Sequence, residues 1–442
     1  MKLFLQKPVW LLFVFGFFVI LLLVANICIT GFVIGGDGLG YYAYLRSMFV
    51  DGDLQFANEF MRYNQFGQGV PSPYQRTVTD HVANRYFIGP ALLWVPFFLS
   101  AHALTILAEY FGFALAPDGY SLLYQFFIGS GSIIYGLLGL VFIYKISIRF
   151  FHRNEALLST GFITLGTNVF YYLITEPTMS HSMSMFAVSM FAFIWVKDIG
   201  NRQKGAVVLL GLTAGLMILI RPQNVFFLVL IALEWLGVLK TETGFVSHFR
   251  KQIIEVGLFG IALLLMLLPQ FVVWKILYGH FLFYSYEGAI FNFADPHLLD
   301  SLFSDRHGLI IYTPILLPAL AGVFLFPWKQ SKIGVALIIA FILQWYLNAS
   351  CNFSFGNTFG GRNYINCSFI FAIGLAMFLS VTKKWIVPIW FLFAALIVWN
   401  LLFIAQYTSG MLPHGEAVDF KLVWHNNFDV LSKIFGVFSK II

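Results

Sequence analysis

Gly35-Gly36-Asp37-Gly38-Leu39-Gly40-Tyr41-Tyr42-Ala43-Tyr44-Leu45-Arg46 stands at the end of an almost unbroken apolar run from 9 to 34. A helix needs about 20 apolar residues to cross a bilayer, and this run has them. It is longer than the apolar part of a secretory signal, and no small-x-small cleavage pattern follows, so it reads as a retained first span. The chain then presents an aspartate between glycines, three tyrosines, and Asp51 and Asp53 a few residues on. The spacing from Gly38 to Val50 is helical, with Tyr41, Leu45 and Met48 on one face. Two readings fit Asp37. It is either the first-turn acid of an interfacial helix whose tyrosines join an aromatic belt, or a general base or metal ligand held at the membrane surface.

The rest of the chain extends the first span into an all-α polytopic membrane protein. Of 442 residues, 60% are hydrophobic and 10% charged, against roughly 25% charged in soluble domains. The formal charge of +6 points to no nucleic-acid partner, because basic residues of membrane proteins gather in cytoplasmic loops. Twelve apolar stretches are candidates to cross, and the basic clusters Lys145/Arg149/Arg153, Lys197/Arg202/Lys204, Lys240/Arg250/Lys251, Lys329/Lys332 and Lys383/Lys384 test them. All five clusters share the cytoplasmic side only if an even number of spans precedes Lys145. The stretch 87–112, with Pro90, Pro96, His102 and Glu109, is therefore expected to lie along the surface or re-enter. About eleven spans remain, in one integral membrane domain over 1–442, with a first outer loop at 35–120 and an outer interfacial tail at 406–442. In that tail Trp424, Phe428, Leu431 and Phe435 are expected to face lipid.

This threading puts every polar or glycine-rich segment of unusual composition on one outer side. Besides Asp37 they are the turn Thr175-Glu176-Pro177-Thr178-Met179-Ser180-His181, Arg221-Pro222, Ser304-Asp305-Arg306-His307, and Ser354-Phe355-Gly356-Asn357-Thr358-Phe359-Gly360-Gly361-Arg362. Glu176 and His181 so close to lipid call for partners. Glycines let backbone amides approach an anion, and a guanidinium grips phosphate oxygens in pairs, so Arg362 reads as a phosphate contact, with Arg221 and Arg306 as further basic groups. Walker A, His-Glu-x-x-His and Gly-x-Ser-x-Gly patterns are missing from the sequence. Cys351 and Cys367 would pair only in an oxidising compartment, and Asn348, Asn352 and Asn366 match the glycosylation sequon.

The aspartate just after the first span, the Tyr41-Tyr42 pair and its helix, the Pro-containing segment Ile88-Gly89-Pro90, the Glu176-Pro177 to Ser180-His181 turn and the Phe359-Gly360-Gly361-Arg362 loop together resemble the GT-C superfamily of integral membrane glycosyltransferases. The likeness is nearest to the branch of protein O-mannosyltransferases and aminoarabinose transferases. It implies transfer of a sugar from a polyprenyl-phosphate donor to a glycan, lipid or protein acceptor at the outer face of a bacterial inner membrane, with inversion. Asp37 would be the general base, and Arg362, Glu176, His181, Tyr41, Tyr42, Arg221 and Arg306 the substrate-binding set. The likeness names no certain cofactor and admits a divalent metal, although Gly38 stands where several relatives carry a second acid. A second reading, from another class, is a transporter or flippase of a lipid-linked glycan. Transport favours ionisable groups at the bilayer midplane, whereas Glu234 and Glu255 sit toward cytoplasmic ends.

Overall fold

The computed structural model describes residues 8–64, 72–200, 202–238, 245–286, 291–351 and 359–441. Among them every regular element is helical, with isolated bridges only at Arg76↔Val82 and Phe291↔Cys351. Seven helices are long and apolar enough to cross a membrane: Trp10–Thr30, Gly89–Tyr110, Leu122–Ser147, Gln252–Tyr278, Ser331–Ser350, Arg362–Val381 and Val387–Thr408. Lys204–Ile220, Pro222–Trp235 and Leu316–Trp328 are shorter apolar helices. The protein is an all-helical integral membrane protein. The segment expected to lie flat or re-enter is one continuous helix, Gly89–Tyr110. Pro90 falls in its first turn, where the missing amide costs nothing, and Pro96 is carried inside.

The chain forms two compact units, Met1–Phe142 with Tyr172–Gly288, and Ile143–Tyr171 with Ala289–Ile442. In the first, the helix Pro8–Thr30 ends at Gly31, and the link to Asp37 is tied down by one side chain. Gln125 Oε1 accepts from Val33 N at 3.0 Å and Ile34 N at 2.9 Å, satisfying two amides that no helix serves. The short helix Asp37–Arg46 then runs through the interior, buried from Gly38 to Arg46. Helix Gly89–Tyr110 lies against it through Tyr41 on Trp94 and Tyr42 on Phe98, at 6.3 and 5.8 Å between ring centres. Its buried row Trp94, Phe98, Ala101 and Thr105 has the spacing of one helix face. Elsewhere in this unit Arg202 forms a buried ion pair with Glu234, so the acid expected near a cytoplasmic end has a charged partner.

In the second unit, helix Arg153–Gly166 lies against Ser368–Val381 and Ile386–Thr408. Asn400 Nδ2 donates to the carbonyls of Leu165 and Thr167 at 2.9 and 3.0 Å, serving acceptors that a helix end leaves open. Helices Leu316–Leu325 and Ser368–Val381 cross at two glycines. A Cβ on Gly322 would lie 1.8 Å from Gly374 O, and one on Gly374 2.1 Å from Ala319 O. Small residues at such crossings let backbones touch. Because the obstruction is backbone, Gly322→Ala is expected to lower stability by about 1–3 kcal/mol, the usual range for overpacking. Gly161→Ala, with nothing within 4 Å, is expected to be neutral or stabilising. Thermal unfolding of the two variants in detergent checks the difference.

The tail forms the helix Phe420–Ile441, fixed by Gln406 Nε2 donating to Val423 O and Asn427 Oδ1 at 3.0 and 2.7 Å. Trp424 and Phe428 are exposed, while Leu431 and Phe435 lie outside the described side chains. No disulfide joins Cys351 and Cys367. Asn348 and Asn366 are buried, which removes them as glycan acceptors, and Asn352 lies outside the described residues.

Candidate active site

Asp37 is the first residue of its helix, where an acid is favoured by the amide end of the helix dipole. Gly36 before it adopts φ +54°, a positive value that glycine takes without strain. The carboxylate accepts from the phenol of Tyr86, 2.9 Å from Oη to Oδ1. Arg85 Nη2 donates to that same phenol oxygen at 3.2 Å. The guanidinium polarises the phenol and strengthens its donation to Asp37, as in any chain of hydrogen bonds. Burial, and then the Asp37 charge, push the Tyr86 phenol up, so it stays a donor at neutral pH.

Tyr86 is held by its own strap. Its amide donates to Asn84 Oδ1 at 3.2 Å, its carbonyl accepts from Tyr44 Oη at 2.8 Å, and Asn84 Nδ2 reaches Gly40 O at 2.8 Å. The ring lies directly on Gly40, where a Cβ would meet Tyr86 Cδ2 at 1.9 Å. The glycine spacing of the opening stretch thus makes room for a ring contributed 46 positions later.

Tyr41 leads from the carboxylate toward the Glu176–His181 turn. Its hydroxyl donates to Ser180 Oγ at 3.1 Å, and Arg221 Nη1 donates to the same oxygen at 3.3 Å. Arg221 Nη1 also lies 3.0 Å from His181 Nδ1. A guanidinium has no acceptor, so the imidazole nitrogen accepts. With the Gln223 amide oriented to put its oxygen toward Arg221, that oxygen accepts from Nε at 2.7 Å. Burial, then the nearby Asp37 charge, raise the Tyr41 phenol. The Glu176 carbonyl accepts from Met179 N at 3.2 Å, closing the turn that presents Ser180 and His181. Tyr286 completes the group, its ring 6.3 Å from that of Tyr86 and within the electrostatic reach of Asp37, Arg85 and Arg221.

Tyr42, one residue from Tyr41, turns elsewhere. Its hydroxyl donates to Gly119 O, and it sits with Tyr63, Tyr124 and Arg46 in a buried cluster at the other end of the helix. One step along a helix rotates about 100°, which separates neighbours that read alike in sequence.

Arg306 and Arg362 belong to the second unit. Arg306 Nε donates to Gly415 O at 2.7 Å, tying the loop before the tail helix. Arg362 opens a 3₁₀ turn to Cys367, its amide donating to Gly360 O at 2.8 Å. Phe359 behind it is fully buried between Tyr171, Phe403 and Tyr407, with ring centres 5.0 to 5.2 Å apart. The preceding part of that glycine-rich loop, 354–358, lies outside the described residues. Among the described residues, no three of His, Cys, Asp and Glu converge as a metal site would need.

Sequence reasoning missed Tyr86, Arg85 and Tyr286. They lie in short irregular segments with neither helical period nor motif, and only the fold brings them to Asp37.

Residues 125–274 match the family model of dolichyl-phosphate-mannose-protein mannosyltransferases. Comparison with curated proteins gives no sequence match. Among solved structures, the chain is similar to ArnT from Cupriavidus metallidurans bound to undecaprenyl phosphate, at 14% identity and a TM-score of 0.48, covering 90% of this chain and 63% of that one. The apo state of the same protein aligns at 16% identity and a TM-score of 0.45, covering 87% and 63%. The oligosaccharyltransferase of Archaeoglobus fulgidus, in its apo form, aligns at 13% identity and a TM-score of 0.41, covering 88% and 54%. The chain therefore spans less than two thirds of the length of these proteins.

Proposed function

We propose that this chain, which resembles the GT-C integral membrane glycosyltransferases, moves a sugar from a polyprenyl-phosphate donor to an acceptor hydroxyl. The observation that carries the reading is a carboxylate, Asp37, held by a phenol and set in one unit with two guanidinium groups, Arg85 and Arg221. The family match over 125–274 supports a polyprenyl-phosphate sugar as the donor class, and it covers the turn at Ser180 and His181 as well as Arg221. Asp37 takes the proton of the acceptor hydroxyl while that oxygen attacks the anomeric carbon. The bond from that carbon to the phosphate oxygen breaks, and the lipid phosphate leaves with the electron pair. Arg221, kept in place by Ser180 and His181, offsets the charge that develops on it. Arg362, which belongs to the other unit, is a separate candidate phosphate contact, suggested by its glycine-rich loop alone. A single displacement of this kind inverts the anomeric centre. The reaction is assigned to the outer, periplasmic face of a bacterial inner membrane, the side on which the positive-inside threading places these residues.

The test supplies purified protein with a labelled polyprenyl-phosphate hexose and a panel of acceptors. Transfer to any acceptor supports the reading, and donor binding without transfer to any of them favours transport instead. For the phosphate, Arg221→Ala and Arg362→Ala are each expected to weaken donor binding by about 10- to 100-fold, as for loss of a hydrogen bond to a charged group. Unchanged binding in both variants overturns the phosphate assignment.

A further inference from the structure

Helix Phe245–Tyr278 exposes Ile261, Leu264, Leu268, Val272 and Ile276 in a row with helical spacing. In a bilayer-spanning chain such a row faces acyl chains. Lys275, in the last turn on the same face, marks where the span ends. Its ammonium reaches past the helix to donate to Gly279 O at 2.8 Å, and it lies 5.5 Å from the centre of the Phe281 ring. A lysine reaching in this way puts its charge at the headgroup level.

Beyond that level the surface should turn polar, and it does not. Phe281 is 60% exposed and Leu282 75%. A short hairpin from the first outer loop sets a third apolar side chain beside them. Thr79 Oγ1 donates to Leu277 O at 2.5 Å, and Val78 Cγ2 lies 3.9 Å from where a Cβ of Gly279 would be. Val78 is 87% exposed. The hairpin is held by the Arg76↔Val82 bridge and by Thr77 N donating to His81 O at 2.8 Å, with Asp80 at φ +62° in the turn. A structured turn that holds a valine outward at its tip has an apolar neighbour to meet.

We propose that Val78, Phe281 and Leu282 form a lip immersed at the headgroup–acyl boundary of the leaflet in which Phe245–Tyr278 ends, with membrane lipid as its occupant. The lip continues without a polar break from the helix row that already faces acyl chains, and the Lys275 ammonium beside it suits lipid phosphates. The same segment runs on to the site: Ser285 Oγ donates to Arg85 O at 2.7 Å, and the Tyr286 ring meets that of Tyr86. Immersion of the lip therefore fixes the depth of the Arg85–Tyr86 strap relative to the bilayer surface. This inference stands on surface and position alone, whatever reaction Asp37 serves.

The test places nitroxide labels at Val78→Cys and Leu282→Cys in the full chain, with Cys28, Cys351 and Cys367 replaced by serine. The protein is reconstituted in vesicles of phosphatidylethanolamine and phosphatidylglycerol. Leu268→Cys serves as the lipid-facing reference and Asp53→Cys as the reference in water. Collisions with oxygen exceeding those with an aqueous nickel chelate at both lip positions, as at the lipid reference, are the expected result. Nickel collisions at the level of the Asp53 reference overturn the proposal. Shielding from both reagents overturns it as well, since the lip would then be covered by protein.

Discussion

Asp37→Asn is expected to cut kcat for sugar transfer by about 10²- to 10⁴-fold, the usual contribution of a positioned general base. The variant keeps the side-chain volume, and its amide oxygen still accepts from Tyr86, so the fold and the helix start are preserved. Donor binding should change little, because phosphate recognition is assigned to the guanidinium groups. Full activity in Asp37→Asn would sink the assigned role. The strap gives a second, finer expectation. Tyr86→Phe removes one hydrogen bond to the carboxylate and leaves the ring in place, and is expected to lower kcat by about 10-fold, near 1.4 kcal/mol. Gly40→Ala drives a methyl group into the same ring and is expected to act through the same contact. If both work by releasing Asp37 from Tyr86, the double variant should be no worse than the poorer single one. Additive losses would mean that the glycine matters for the fold and not for the carboxylate. Single-turnover kinetics separates the two outcomes.

Legibility in the sequence follows the physics of each signal. The long apolar helices were visible because a bilayer-crossing helix needs an uninterrupted run, and composition alone registers it. Asp37 was visible because a lone acid at the end of such a run is costly and rare. The glycines around it stand out in the sequence, and Gly40 against the Tyr86 ring shows what their missing side chains make room for. Tyr41 and Tyr42 read as a pair and end in different places, one on Ser180 and the other on Gly119, because helical rotation parts them. Glu176 reads as a charged partner, and its carbonyl also closes the turn that presents Ser180 and His181. What could not be read is whatever arrives from far along the chain without a period of its own. Tyr86 meets Asp37 across 49 positions, and Ser285 meets Arg85 across 200. Gly89–Tyr110 reads as an apolar segment interrupted by two prolines, and it is a continuous helix because Pro90 sits in the first turn, where a helix tolerates it.

The same reasoning about distant partners locates the largest expected loss of stability, at Arg46→Met. Arg46 ends the Asp37 helix, buried, and four contacts converge on it. Nη1 pairs with Glu59 at 2.9 Å and with Asp51 at 2.5 Å, Nε donates to Asp118 O at 2.8 Å, and the guanidinium lies 4.3 Å from the centre of the Tyr120 ring. Three segments of the first outer loop therefore depend on one side chain. Removing it strands Glu59, which is 1% exposed, and breaking a buried pair in this way costs about 3–5 kcal/mol. Thermal unfolding in detergent should show that loss, and Arg46→Met with Glu59→Leu should recover much of it, since no uncompensated charge is then buried. No recovery in the double variant would mean that packing on Tyr120 dominates. Glu59 adds a pH dependence whose sign is fixed. Burial pushes its carboxyl up to about 7, outweighing the lowering by Arg46, with Asp51 adding to the rise. Its folded value lies above the ordinary 4.5, so the stability it contributes is complete below about 4.5 and is lost as pH rises through about 7. Hydrogen exchange of residues 47–64, corrected for intrinsic rates, should show protection falling across that window. Tyr63 and Tyr120 also face the cluster, but burial raises both phenols out of this window. Glu59→Gln should flatten the dependence, and an unchanged profile in that variant would assign it to another group.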